Sequence, residues 1–551
     1  MSDAENKIPD SVALPPDSPA RHFDIVAAQK IIADISSGVY RSPAAAVKEL
    51  VSNAYDADAT LLSISTDPPL FRTLTVSDNG TGMDIAKFLD VMSHIGGSTK
   101  RLESDTTPIL KRKVIGRIGI GLLAVAQLGQ RFYISSTQRG SAIRFIAEVD
   151  LEPFHKDDAA LMNMAGRDAD KIQIGAIRYV DGIPEEKDVH YTVITVPNAK
   201  KGLTSEITGL VRKAVGADEV LSVKRRRIKT FEELVDLVRR SNRADLVLDG
   251  YHYMLWELGL LSPIGYIRGT PFDPTIRNID GLNSIQIPDP PNFAVLVDGV
   301  QLWRPIWFPN PITIDYPSPD PCLYPLLYDA EVAGRRLRFT GYILAQQPRI
   351  QPEELKGIHI RIRDVGIGRY DKSWLGYPFD EGVKFSQVTG EVFVEDGLEQ
   401  ALNIDRDSFR ETDVHFQAMR AYVWDVLRHQ VFPSFKSRQK AFREARNTVA
   451  FAAASERFLT ALRALPAALA FDVRFEDSPA QTLLATIKQS KAELKLERTA
   501  WELLVAECGM DKEAQNRLIR VLQALVSSEL LNDVTEDDFG PLLRVLAIAV
   551  Q

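Results

Sequence analysis

The decapeptide Lys48-Glu49-Leu50-Val51-Ser52-Asn53-Ala54-Tyr55-Asp56-Ala57 constrains this chain more than any other stretch. At roughly 100° per residue on a helix, Glu49, Asn53 and Asp56 fall within one narrow arc. Val47, Leu50, Val51, Ala54 and Ala57 fall on the opposite side. A helix here buries an apolar face and points a carboxylate, an amide and a second carboxylate the same way. Such a set suits a hard cation that keeps several of its waters. It equally suits an ordinary surface helix with a polar face, so its meaning depends on the motifs that accompany it in the chain.

Three further motifs come in order. Thr73-Leu74-Thr75-Val76-Ser77 reads as a strand and runs into Asp78-Asn79-Gly80-Thr81-Gly82-Met83. Gly80 and Gly82 allow backbone angles closed to side chains and let a planar ring approach the main chain; an Asp-Asn-Gly hairpin turn reads the same way. Ile95 to Arg101, with Gly96, Gly97, Ser98, Thr99 and Lys100, leads into a polar stretch carrying Pro108 and a Lys111-Arg112-Lys113 cluster. Gly116-Arg117-Ile118-Gly119-Ile120-Gly121 then passes into the helix-forming run Leu122–Ala126. Backbone amides at a glycine turn before a helix make an anion site. Thr192 to Val196 reads as a buried strand.

In this order the motifs resemble the GHKL ATPase superfamily, which comprises gyrase B, the ninety-kilodalton heat-shock chaperones, histidine kinases and MutL. The resemblance implies an α/β sandwich that binds ATP with one Mg2+. It makes Glu49 the base that activates the attacking water, Asn53 the magnesium ligand and Asp56 part of the nucleotide site. Asp78 would accept a hydrogen bond from the exocyclic amine of adenine, with Gly80, Gly82 and Met83 forming the turn beside it. Ser98, Thr99 and Lys100 match the hinge of a mobile lid over the phosphates, and Gly116, Gly119, Ile120 and Gly121 match the phosphate loop. The lid itself would be Lys100 to Lys113, unless that stretch is a solvated basic loop. Thr192 would touch a phosphate, although Tyr191 stands where the family has glycine.

The expected fold is α+β: a GHKL sandwich over residues 21–265, a second α/β (S5-like) transducer or middle domain over 266–413, and a helical region over 414–551. Residues 1–20 read as a flexible arm, and the polar, acidic stretch from 152 to about 188 as an insertion between strands. Phe293 to Val297 is strand-like and reads as the start of the second domain; strand-like runs continue at Leu337 to Ala345 and Gly357 to Val365. Cys322 and Cys508 imply no disulfide framework and suit a reducing cytosol. With no apolar run of membrane-spanning length, the expected location is cytoplasmic.

Thr389 to Phe409 resembles the chaperone middle-domain segment in which a strand and an acidic loop precede an arginine that reaches the γ-phosphate. Arg406 is the matching position, with Asp407 in place of the usual glutamate. A cation from a second domain stabilises charge on the transferring phosphoryl group; the alternative is a local salt bridge with Asp405 or Asp407. Lys384 is a second candidate. Only His22 precedes the site, which disfavours a histidine kinase, and no downstream metal cluster of the MutL endonuclease kind is evident. The leading expectation is a chaperone-like ATPase, a homodimer (ATP-dependent or constitutive) acting on a protein client or effector subunit. The alternative is a DNA-associated clamp of the MORC or topoisomerase VI B kind, for which the net charge of −8 gives no support. A degenerate nucleotide-binding scaffold is the third.

Overall fold

The computed structural model describes residues 8–14, 19–28, 43–93, 106–115, 124–152, 171–212, 228–241, 248–272, 279–308, 319–403, 407–445, 473–476, 494–527 and 536–551. They fall in two compact units, Met1–Phe435 and Lys436–Gln551.

The first unit begins with β1 (Arg21–Ala28), α1 (Pro43–Asp56), β2 (Leu61–Ser65), β3 (Leu74–Asp78) and α2 (Ile85–Ser93). Next come α3 (Ala124–Leu128), β4 (Arg131–Thr137), β5 (Ile143–Asp150), β6 (Lys171–Pro184), β7 (Tyr191–Val196) and α4 (Lys201–Thr208). A short pair, β8 (Leu210–Arg212) and β9 (Leu248–Asp249), flanks α5 (Phe231–Ser241) in sequence. After α6 (Gly250–Leu261), β10 (Ala294–Val297) and β11 (Val300–Gln301) complete a nine-stranded sheet ordered β1-β6-β5-β4-β7-β3-β2-β10-β11. Its neighbours are antiparallel except β10, which runs parallel to β2.

Pro43 opens α1, where its missing N–H costs nothing, and Asp58 follows the helix in the left-handed region at φ 59°. Val47, Leu50, Val51 and Ala54 pack into the core, as the periodicity requires. Two polar residues of the helix are covered as well: Lys48 and Glu49 are only 2% and 1% exposed. What covers them is the second layer of the same unit.

That layer is a five-stranded sheet of β12 (Cys322–Val332), β13 (Arg335–Ala345), β14 (Gly357–Ile362), β15 (Val365–Asp371) and β16 (Val388–Asp396), ordered β12-β13-β16-β14-β15. A buried polar cluster fastens it to the first layer. The Glu391 carboxylate accepts from Arg361 Nε (2.7 Å), Tyr342 Oη (2.7 Å) and Tyr266 Oη (2.9 Å), and Arg361 Nη2 donates to the carbonyl of Leu260 at the end of α6 (2.8 Å). Burial opposes the charge on Glu391, but the Arg361 guanidinium holds its carboxyl well below the usual range.

Several sequence boundaries need correction. Within the stretch read as an insertion, Lys171–Pro184 is β6, with Ile174 and Ile177 buried; a register shift against β1 at Gly175 breaks the two-residue alternation by which a strand is recognised. The Phe293–Val297 run belongs to the first sheet as β10, because its pairing with β2 is made across more than two hundred residues of chain. Local pattern carries no trace of such a crossover. Helix α7 (Val414–Val426) belongs to the second layer: Phe416, Met419 and Val423 share a core with Leu326, Phe339 and Ile343. The described part of the expected arm lies on the sheet, with Val12 buried among Ile146, Val189, Tyr191 and Val193 and its amide donating to Thr195 Oγ1 (3.1 Å).

The second unit packs α8 (Arg498–Cys508), α9 (Lys512–Ser527) and α10 (Glu536–Ala549) around Leu504, Leu518, Leu522 and Leu543. It is not wholly helical, since β17 (Val473–Glu476) pairs in parallel with β18 (Leu494–Glu497). No helix among the described residues is long and apolar enough to cross a membrane.

Candidate functional site

The middle of the first sheet brings two sequence motifs together. Asp78 ends β3 directly opposite Thr192 of β7, and Thr192 is in turn opposite Ser136 of β4. The Asp78 carboxyl is buried and accepts from the Gly80 amide (2.8 Å). Burial pushes it up to about 7, against the lowering effect of that amide. A carboxylate so poised gains most from a donor supplied by a bound ligand.

The turn after Asp78 is fixed from several sides. Asn79 Oδ1 accepts the amides of Thr60 and Leu61 (2.9 Å each), and Asn79 Nδ2 donates to Thr60 Oγ1 (2.9 Å). The carbonyl of Gly80 accepts from His190 Nδ1 (2.6 Å). Gly82 has φ +62°, and a Cβ there would lie 1.9 Å from the carbonyl oxygen of Thr137, so only glycine fits. Met83 donates its amide to Ser136 Oγ (3.0 Å), whose neighbour within 3.1 Å is Thr192 Oγ1. Thr192 therefore neighbours Asp78 and the turn that follows it. The residue before it, Tyr191, faces the other side of the sheet by strand alternation, packing with Val12 and donating to Glu185 Oε2 (2.9 Å).

Helix α1 ends beside this turn, where the amide of Thr81 donates to the carbonyl of Ala57 (2.7 Å). Asn53 is half-buried on the same arc as Glu49, and its side chain makes no hydrogen bond among the described residues. Asp56 Oδ1 accepts the amide of Ile115 (2.7 Å) and so anchors the chain just before the glycine loop. The described part of the expected lid is held rather than free. Asp58 accepts the amides of Ile109 (2.9 Å) and Leu110 (3.1 Å). Arg112, 9% exposed, lies 4.4 Å over the Tyr55 ring and donates to the carbonyls of Ala59 (2.6 Å) and Asn292 (2.5 Å). Lys113 pairs with Asp396 (3.1 Å). These contacts tie Arg112 and Lys113 to the rest of the first unit. Ser98, Thr99, Lys100, Gly116, Gly119, Ile120, Gly121 and Arg406 lie outside the described residues.

The second layer closes over α1. Lys48 Nζ reaches Asp407 Oδ1 at 3.1 Å. Arg363, at the tip of the β14–β15 hairpin, donates to the carbonyl of Val114 and pairs with Glu399 (2.9 Å). Lys384 is engaged elsewhere, with Glu381 (2.7 Å) and over the Phe432 ring. His190 carried no local signal by which sequence reasoning could pick it out, a lone histidine before a strand being commonplace, and the partnership of Asp407 with Lys48 spans too much chain to be read locally. Among the described residues no group of three or more His, Cys, Asp or Glu is placed to hold a metal. The one amide at Asn53 fits a magnesium ion whose remaining ligands are phosphate oxygens and water.

Residues 40–176 match the family described as histidine kinase-, DNA gyrase B-, and HSP90-like ATPase. The MutL mismatch repair protein of Rhizobium leguminosarum bv. trifolii is 37% identical over 116 residues, 21% of this chain and 18% of that protein. MutL of Ralstonia nicotianae is 32% identical over 137 residues, 24% of this chain and 20% of that protein. A protein of Herpetosiphon aurantiacus named "Putative type II restriction enzyme HgiDII" is 36% identical over 116 residues, 20% of this chain and 18% of that protein. The match spans about a fifth of the length of these curated relatives. The N-terminal layer is a GHKL-type ATPase domain; the similarity is to MutL and a restriction enzyme, not to heat-shock chaperones specifically.

Proposed function

We propose that this protein is a magnesium-dependent ATPase that works as a nucleotide-operated clamp. The observation that carries the reading is that the turn after β3 is bound to the end of α1, the Thr81 amide donating to the Ala57 carbonyl (2.7 Å). Glu49 and Asn53 share one arc of a buried helix, and the buried Asp78 with Thr192 stands at the end of β3. In this reading the adenine amine donates to Asp78, which selects adenine over guanine, whose ring carries a carbonyl there. Asn53, with phosphate oxygens and waters, holds the magnesium ion, which neutralises charge on the phosphates when bound. Glu49 takes the proton from the attacking water. Gly80, Gly82, Met83 and Thr192 shape the base end, and Asp56 holds the chain leading to Gly116, Gly119, Ile120 and Gly121 at the phosphates. Ser98, Thr99 and Lys100 form the lid hinge. Arg406, one residue from the Lys48 partner Asp407, is favoured over Lys384 as the second-layer cation because Lys384 has its own carboxylate partner.

The relatives favour a DNA-associated clamp, working with a separate effector, over the chaperone-like reading, because those named are mismatch repair and restriction proteins. Homodimerisation belongs to this reading, and Leu503, Val545 and Ile548, exposed in the second unit, offer it apolar surface. The test is retention of duplex DNA by the full chain with a non-hydrolysable ATP analogue, with ADP and without nucleotide, across a salt series. Analogue-dependent retention that weakens as salt rises supports the DNA reading. Equal, negligible retention in all three states, with ATP-dependent capture of an unfolded protein, returns the chaperone reading to first place.

A further inference from the structure

A cavity of about 60 Å3 lies between α1 and the second layer of the first unit. Lys48, Glu49 and Ser52 line it from α1, and Arg363, Val365 and Ile367 from the β14–β15 hairpin. At roughly 10–15 Å3 per water it has room for a few waters. Its walls differ in kind. Helix α1 presents a carboxylate, an ammonium and a hydroxyl, whereas the hairpin presents aliphatic side chains and one guanidinium.

The guanidinium of Arg363 is incompletely used. Its side chain is 6% exposed; Nη1 donates to Val114 and Nη2 to Glu399, while Nε is buried with no partner among the described residues. A buried N–H left unpaired is costly, so such donors are normally answered by a water or ligand atom. The ammonium of Lys48 is spoken for by Asp407. Two ion pairs thus flank the cavity, with a donor, Arg363 Nε, and an acceptor, the Glu49 carboxylate, on its opposite walls.

We propose that this cavity is the water chamber of the ATPase site. The second layer forms one of its walls, and Arg363 holds the water that Glu49 deprotonates. The proposal rests on the reading of Glu49 as the base. In the step it serves, a lone pair of the water oxygen attacks the γ-phosphorus and the bond from that phosphorus to the β,γ-bridging oxygen breaks. ADP leaves with the bond electrons, and the water proton passes to Glu49 and then to solvent. Because one wall comes from the second layer, turnover becomes a property of the docked layers rather than of the N-terminal layer alone.

The experiment fills the chamber in the full chain. Ile367→Phe adds bulk from β15, Leu402→Phe adds it from a different segment of the lining, and Arg363→Met removes the donor. Glu49→Ala is run beside them. ATP turnover, analogue affinity and the thermal midpoint are measured for each. The expected result is a tenfold or larger loss of kcat in the filled variants and in Arg363→Met, with analogue affinity within about twofold and the midpoint of at least one filled variant at or above the parent's. Partial recovery in Arg363→Lys is expected, because an ammonium can still donate. If Glu49→Ala is inactive while a stably folded filled variant turns over at the parent rate, the cavity is a packing void and the proposal is overturned. If Glu49→Ala hydrolyses ATP as fast as the parent, the reading beneath the proposal has failed instead.

Discussion

Lys48 and Asp407 meet at 3.1 Å, across 359 residues of chain, with side chains only 3% and 15% exposed. Lys48 precedes Glu49 on α1, so the pair ties the helix bearing the proposed base to the second layer.

Breaking such a pair strands a charge. Lys48→Met or Asp407→Asn alone should destabilise the first unit by about 3 kcal/mol. The double variant should lose less than the sum, because neither charge is then left without the other. Urea unfolding of the four proteins measures this; strictly additive losses would show that the two side chains do not interact.

Asp78 makes nucleotide binding pH-dependent. Its folded carboxyl titrates near 7, above the ordinary 3.8. The native protein therefore holds this proton more tightly than the unfolded chain. The group's stability contribution is fully present below about pH 4 and is lost as pH rises toward 7. A donor from adenine favours the charged form, so binding should release a proton near neutrality and ATP affinity should rise with pH up to about 7 and then level. Calorimetry in buffers of different ionisation enthalpy reads the released proton. Asp78→Asn should abolish the pH dependence and lower affinity roughly ten- to a hundred-fold.

Arg112 should behave as a brace. Its contacts are carbonyls and the Tyr55 ring, which a lysine cannot reproduce. Arg112→Lys should cost about 2–3 kcal/mol of stability and leave ATP affinity of the folded protein within about twofold. A large affinity loss without a change in the thermal midpoint would return this residue to the phosphates.

Much of the site was legible because its elements are local. The α1 arc and the Asp78-Asn79-Gly80-Thr81-Gly82 turn announce themselves within ten residues each. What covers α1 was not legible. Lys48 and Glu49 are buried because Asp407 and the Arg363 hairpin return to α1 from hundreds of residues away. Strand β10 escaped for the same reason, and the pairing of Thr192 with Asp78 is set by register rather than by sequence separation.

Val12 gives a further check on long-range packing. Removing residues 1–14 uncovers Ile146 and Tyr191 and should cost about 2 kcal/mol. Analogue affinity should be retained. An unchanged thermal midpoint would mean that this segment contributes nothing to the sheet it lies on.

The central claim is that Glu49 performs the proton transfer in ATP hydrolysis at a site whose base end is Asp78. Its most direct measurement is paired: equilibrium ATP binding and steady-state phosphate release by the full chain and by Glu49→Ala. The account requires the variant to bind ATP with affinity within a few-fold of the parent and to release phosphate at least a hundred-fold more slowly. Equal rates of phosphate release from the two proteins would contradict it.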